Sequence, residues 1–165
     1  MRTNLLRRAT MVLAAAFAMA LAVLMAPAPA HAAWGSQIPV TIQVTGNGHQ
    51  LGYATGWVQF DTGGTTFRYE ITVCRQSSYT PPNLAVSVNP TVANPDGTLL
   101  TTHFMFSWTP GGTAPCYGGS EVFTGQHDYS PLNSAYFVLS GNTFVNGNNF
   151  TVFTQDRFVS KSYTY

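Results

Sequence analysis

Glu70 and Glu121 are the only glutamates in a chain of 165 residues. A pair of carboxylates is what glycoside hydrolysis requires, one as acid/base and one as nucleophile, about 5 Å apart when configuration is retained. Both glutamates fall in stretches that read as β-strand, so that chemistry needs two strands to aim them into one cleft. The competing role is plain surface charge, with Glu70 beside Arg68 or Arg75 and Glu121 next to a loop. Other catalytic or ligating sets are not assembled. His49, His103 and His127 have no metal-ligand spacing, and His103, alternating with Thr101 and Met105, reads as hydrogen-bonded structure. There is no G-x-S-x-G, and Asp61 and Asp96 stand singly, too few for a calcium loop. No metal and no cofactor is expected.

The aromatic residues make up 13% of the chain, enough to supply both a core and a surface platform. Trp57, Trp108, Tyr79, Tyr117, Tyr129 and Tyr136 are candidates for such a platform, on which sugar rings stack or partner proteins anchor. Tyr79, Tyr117 and Tyr129 sit in loops rich in glycine and proline and are the expected exposed ligand contacts. Phe67, Phe104, Phe106 and Phe137 are expected in the core.

The elements that must position these residues are strands. In Thr65–Arg75, Phe67, Tyr69, Ile71 and Val73 alternate with Arg68, Glu70, Thr72 and Cys74, the period of a half-buried strand. Ile38–Thr45 and Gln50–Phe60 precede it, separated by an Asn47-Gly48 hairpin signal, so Ile38–Arg75 is expected to form a three-stranded antiparallel meander. Gly52 and Gly56 inside the second strand predict a bulge, a bend or a close approach of another segment. Further strands are expected at Leu84–Val88, Thr98–Trp108, Glu121–Gln126, Ser134–Ser140, Phe150–Thr154 and Phe158–Tyr165. In Thr98–Trp108, Leu100, Phe104, Phe106 and Trp108 share one face, opposite His103 and Met105. No stretch after the N-terminal region has the 3.6-residue apolar period of a helix. The fold class is therefore all-β, an antiparallel β-sandwich or β-barrel of about eight or nine strands.

Arg2, Arg7 and Arg8, the apolar run Met11–Met25 and the Ala/Pro segment ending at Ala32 read as a secretory signal peptide. The expected organisation is a leader at 1–32 and a single all-β domain at 33–165, exported to the extracellular space, and the Ala-rich leader suggests a bacterial source. Beyond the leader, four basic residues face six acidic ones, a net charge of −2. No basic patch remains, which argues against nucleic acid or an anionic membrane as partner. Charged residues are only 8% of the chain, so Thr, Ser, Asn, Gln and Gly must cover the surface. In an exported chain, Cys74 and Cys116 are expected to form one disulfide.

Two short resemblances follow from the same residues. Phe67-Arg68-Tyr69-Glu70 and Gly118-Gly119-Ser120-Glu121-Val122 are similar to the glutamate strands of the small xylanases, which implies Glu70 and Glu121 as a catalytic pair. The chain beyond its leader is short for that family and its aromatic cleft is sparse. Glu121–Gln126, followed by Tyr136–Leu139, looks like the middle of an avidin-type barrel. The further tryptophans of a biotin pocket have no counterpart after Trp108, so no biotin contact is carried over. The leading expectation is a secreted, non-catalytic binding protein whose ligand is an extracellular polysaccharide or protein. The alternatives are a small β-jelly-roll glycoside hydrolase using Glu70 and Glu121, and a structural cell-envelope protein.

Overall fold

The computed structural model describes residues 33–106 and 112–161. The expected leader, Trp108 and residues 162–165 lie outside the described residues. Among those described, eight strands form: β1 (Ile38–Gly46), β2 (His49–Phe60), β3 (Thr66–Arg75), β4 (Asn83–Val88), β5 (Thr98–Phe104), β6 (Ser120–Asp128), β7 (Ser134–Val145) and β8 (Asn149–Ser160). They pair antiparallel in two four-stranded sheets, ordered β1-β2-β3-β6 and β5-β4-β7-β8. The architecture is a β-sandwich rather than a closed barrel.

Local chemistry explains the hairpins. Asn47 and Gly48 adopt φ of 49° and 78°, and Asn146 and Gly147 adopt 54° and 78°. These are the left-handed pairs of a two-residue turn whose twist matches its strands, and Asn-Gly tolerates them best. The first turn falls where the sequence places it, the second sets the same Asn-Gly pair between β7 and β8, and β1-β2-β3 is the expected meander.

The alternation of β3 becomes the inner face of the first sheet. Phe67, Tyr69, Ile71 and Val73 are buried, together with Val40, Ile42 and Val44 of β1. They meet Leu84, Val86 and Val88 of β4 and Ala135, Phe137 and Leu139 of β7. Burying each such side chain contributes about 1.5–3 kcal/mol. At one side of the sandwich β1 lies over β7 and β8. At the other, His103 of β5 stacks on Phe123 of β6 with ring centroids 4.8 Å apart.

Two expectations are corrected. The stretches Phe150–Thr154 and Phe158–Tyr165 are not separate strands, because β8 runs unbroken through Gln155–Arg157, paired to β7 at every residue. Phe104 and Phe106 are not core residues: they are 55% and 85% exposed, while Met105 between them is 4% exposed. The segment is apolar in both phases, so its own pattern does not choose a face. Pairing with β4 chooses, by setting His103 opposite inward-facing Leu84 and Thr101 opposite Val86.

Candidate functional site

Antiparallel pairing brings the end of β1, the start of β2, the end of β3 and the start of β6 to one end of the first sheet. Here Cys74 is bonded to Cys116, with Cα atoms 4.6 Å apart and a separation of 42 positions in sequence. The bond covers Cys74, which is buried although it sits on the outward face of β3. It also lays the 116–119 loop along the end of β3. The Gly118 N–H donates to the Arg75 carbonyl at 2.9 Å, and the Arg75 N–H donates to the Gly119 carbonyl at 3.0 Å. A Cβ at Gly118 would meet the Arg75 stem at 3.0 Å, so glycine lets the loop lie flat against it.

Arg75 is also the clamp of the neighbouring loop. Its Nε donates to the Ser78 carbonyl at 2.9 Å and its Nη2 to the Tyr79 carbonyl at 2.7 Å. The Tyr79 N–H in turn donates to the Asn142 carbonyl at 2.8 Å. With its backbone held on two sides, Tyr79 leans its ring edge-on to Phe144, centroids 4.9 Å apart, and remains 62% exposed. Tyr117 stands across from it, 56% exposed. Between the two tyrosines lies a groove of about 490 Å³, walled by Arg75, Gln76, Ser77 and Gly118. Past Gln76 and Ser77 it continues into a hollow of about 360 Å³ reaching Gly48, His49 and Gln50. Such volumes are in the range of small-molecule sites.

A chain of side-chain amides runs into this groove. Gln43 Nε2 donates to the Gly52 carbonyl at 2.9 Å and to Gln76 Oε1 at 2.8 Å. Gln76 Nε2 donates onward to Gln50 Oε1 at 3.4 Å. Sequence reasoning missed these three residues. Gln43 and Gln76 are 33 positions apart, and only strand register joins them.

The groove thus brings together Tyr79 and Tyr117 of the sequence-predicted contacts, but not Tyr129. That residue lies at the opposite end of the sandwich, where β6 ends. It is half-buried against the core, with its hydroxyl 3.3 Å from Thr98 Oγ1. The expectation that its loop would expose it fails because its N–H donates to the Thr65 carbonyl at 2.8 Å, which carries it back toward the core.

Glu70 and Glu121 do not share a cleft. Glu70 is exposed on the outer face of β3, opposite Trp57 and Thr124. Glu121 pairs with Val73 and has the inward phase of Phe123. Its Oε2 accepts the Phe106 N–H at 2.8 Å. Opposite faces of one sheet cannot supply the acid and nucleophile of one glycosidic bond.

Two other clusters stand out. On the outer face, the Arg68 guanidinium lies 4.3 Å over the Trp34 ring and 6.0 Å from that of Trp57, and its Nε donates to Gln59 Oε1 at 3.0 Å. Beside it a shallow hollow of about 330 Å³ is lined by Trp57, Glu70, Thr124 and Gln126. Inside, the Tyr69 hydroxyl is 2.6 Å from His103 Nε2, and the His127 ring stacks on Tyr69 with centroids 6.0 Å apart. Burial pushes the Tyr69 phenol up to about 12. Burial holds both imidazoles below their ordinary value. No group of three or more His, Cys, Asp or Glu that could hold a metal ion occurs among the described residues.

The end groove unites an anchored pair of aromatic rings, fixed amide donors and a guanidinium. Hydrogen bonding and stacking are what it can do chemically, and among the described residues its wall contains no carboxylate for acid/base work. Compared with protein-family models, curated proteins and solved structures, the chain matches none.

Proposed function

We propose that the protein is a secreted, non-catalytic binding protein that holds an extracellular polysaccharide in the groove between Tyr79 and Tyr117. The observation that carries this reading is the pair of exposed tyrosines, each held through its own loop backbone, on the two sides of a groove lined with amide and hydroxyl groups. Sugar rings present an apolar face for stacking and a rim of hydroxyls for hydrogen bonds. A platform ordered before binding loses little conformational entropy when the ligand arrives. The disulfide agrees with an oxidising compartment, where such polymers are met.

Retention on a panel of insoluble polysaccharides tests the reading. The native protein should be retained on at least one of them. Tyr79→Ala and Tyr117→Ala should each weaken retention about tenfold, since loss of a stacked ring costs on the order of 1.5 kcal/mol, while the urea midpoint stays in place. Release of reducing sugar that disappears in Glu70→Gln would restore the hydrolase alternative. Retention unaffected by both tyrosine changes, or seen only on a protein bait, would refute the groove as a glycan site.

A further inference from the structure

The orientation of the amide chain is forced, and it says what kind of sugar the groove prefers. Gln43 Nε2 faces the carbonyls of Val44 and Gly52, which only accept, so the nitrogen side of this amide must point there. That same nitrogen meets Gln76, which must therefore present its oxygen. Gln76 then has only its nitrogen left for Gln50, which must present oxygen in turn. The chain ends at Gln50, whose Nε2 is left to donate. Arg75, whose Nε and Nη2 hold the Ser78 and Tyr79 carbonyls, adds its positive charge to the same wall, and His49 lies in the adjoining hollow.

Charge is distributed along the sandwich in the same sense. Asp61 follows the last residue of β2, Asp128 is the last residue of β6, and Asp96 lies in the turn between β4 and β5. All three belong to the end opposite the groove, where Lys161 beside Asp61 offsets one of them. Glu121, at the start of β6, turns inward to the Phe106 N–H and is not part of the groove wall. A wall with amide donors and a guanidinium, at the end of the molecule remote from these aspartates, complements a negative ligand.

We infer that the groove selects an acidic polysaccharide, one whose sugar rings carry carboxylates, with the rings stacked on Tyr79 and Tyr117 and a carboxylate drawn by the charge of Arg75 and received by the Gln50 amide. This rests on the glycan reading given above and adds the ligand's charge to it.

The test uses the protein expressed from its full chain and two forms of one polymer, polygalacturonate and the same polymer fully methyl-esterified. Polygalacturonate should be retained, the ester should not, and retention should fall as salt is added. Gln50→Glu keeps an oxygen acceptor for Gln76 Nε2, so the amide chain and the urea midpoint should persist. It sets a carboxylate against the ligand's own, and binding to polygalacturonate should weaken about tenfold or more. Equal retention of acid and ester, or a Gln50→Glu variant that binds as the native protein does, would overturn the acidic preference while leaving a glycan site. Retention of neither polymer, with no effect of Tyr117→Ala on any glycan, would overturn both readings.

Discussion

Tyr69 reaches from the first sheet to His103 on the edge of the second. With the phenol pushed up to about 12 by burial, Tyr69 keeps its hydrogen, and its hydroxyl shares a 2.6 Å hydrogen bond with His103 Nε2 whose direction follows the imidazole tautomer. Burial is the main cause holding His103 below 6.5, helped by His127, while Glu121 pulls the other way. Burial likewise lowers His127, opposed by Asp128. For bases held low in the folded state, the unfolded chain binds more protons as acid is added. Stability from this cluster is therefore full above about 6.5 and is lost as pH falls through the lowered folded values. The urea midpoint should be lower at pH 5 than at pH 7.5, and His103→Gln should flatten that difference. Among the described residues the His127 Nε2 is buried without a hydrogen-bond partner, its ring packed on Phe67 and Tyr69. His127→Phe removes the unsatisfied nitrogen and keeps the stack, so it should stabilise by about 1 kcal/mol at pH 7.5 and more at pH 5. A midpoint that falls at both pH values would show that the nitrogen contributes to the native state.

At the level of the elements, two glycines on the same hairpin do different work. At Gly56 a Cβ would run into the Glu70 carbonyl oxygen and come within 2.7 Å of the Ile71 Cα. Those are backbone atoms of the paired strand and cannot rotate aside, so Gly56→Ala should cost about 3 kcal/mol, the upper part of the overpacking range. At Gly48 nothing lies within 4 Å, but φ is 78°, so Gly48→Ala should cost only the left-handed backbone term of about 1 kcal/mol. Thermal melts of the two variants should rank in that order, and a smaller loss at Gly56 than at Gly48 would mean that β2 and β3 can part at this point. The sequence shows that Gly56 is unusual in a strand but not what approaches it. The same boundary separates most of what was legible from what was not. Alternation in β3 and the two Asn-Gly turns are local facts, and they place strands and hairpins correctly. Phe104 and Phe106 sit where both phases are apolar, so only the partner strand decides which face they take. Glu70 and Glu121 both read as strand residues, yet the pairing of Val73 with Glu121 that sends them to opposite faces is a matter of register. In the site, Tyr79 and Tyr117 were visible as loop aromatics. The amides of Gln43, Gln76 and Gln50 were not, because nothing in a polar side chain's sequence neighbourhood tells which distant amide it will meet.

Across the whole molecule, the groove depends on a segment that the sheets alone do not hold. β5 and β6 belong to different sheets, and the chain between them returns to the first sheet through the 116–119 loop. Two backbone hydrogen bonds to Arg75 and the Cys74–Cys116 bond fix that loop. Closing a loop of 42 residues restricts the unfolded chain by about 4 kcal/mol of free energy on the chain-entropy account, a large share of the stability of a domain this size. Replacing both cysteines by alanine should therefore lower unfolding stability by roughly that amount in urea titration. The effect on binding is separable. Gln43, Gln50 and Gln76 are placed by β1, β2 and the end of β3, and Tyr79 by Arg75 and Asn142, so half of the groove persists whenever the sandwich is folded. Tyr117, one residue from Cys116, loses its covalent anchor. In conditions where far-UV circular dichroism shows the double-alanine variant still folded, glycan retention should drop to the level of Tyr117→Ala, and adding Tyr117→Ala to that variant should change little more. If the variant loses stability yet binds as tightly as the native protein, the disulfide serves the fold alone, and the ring of Tyr117 is not one of the surfaces on which the ligand rests.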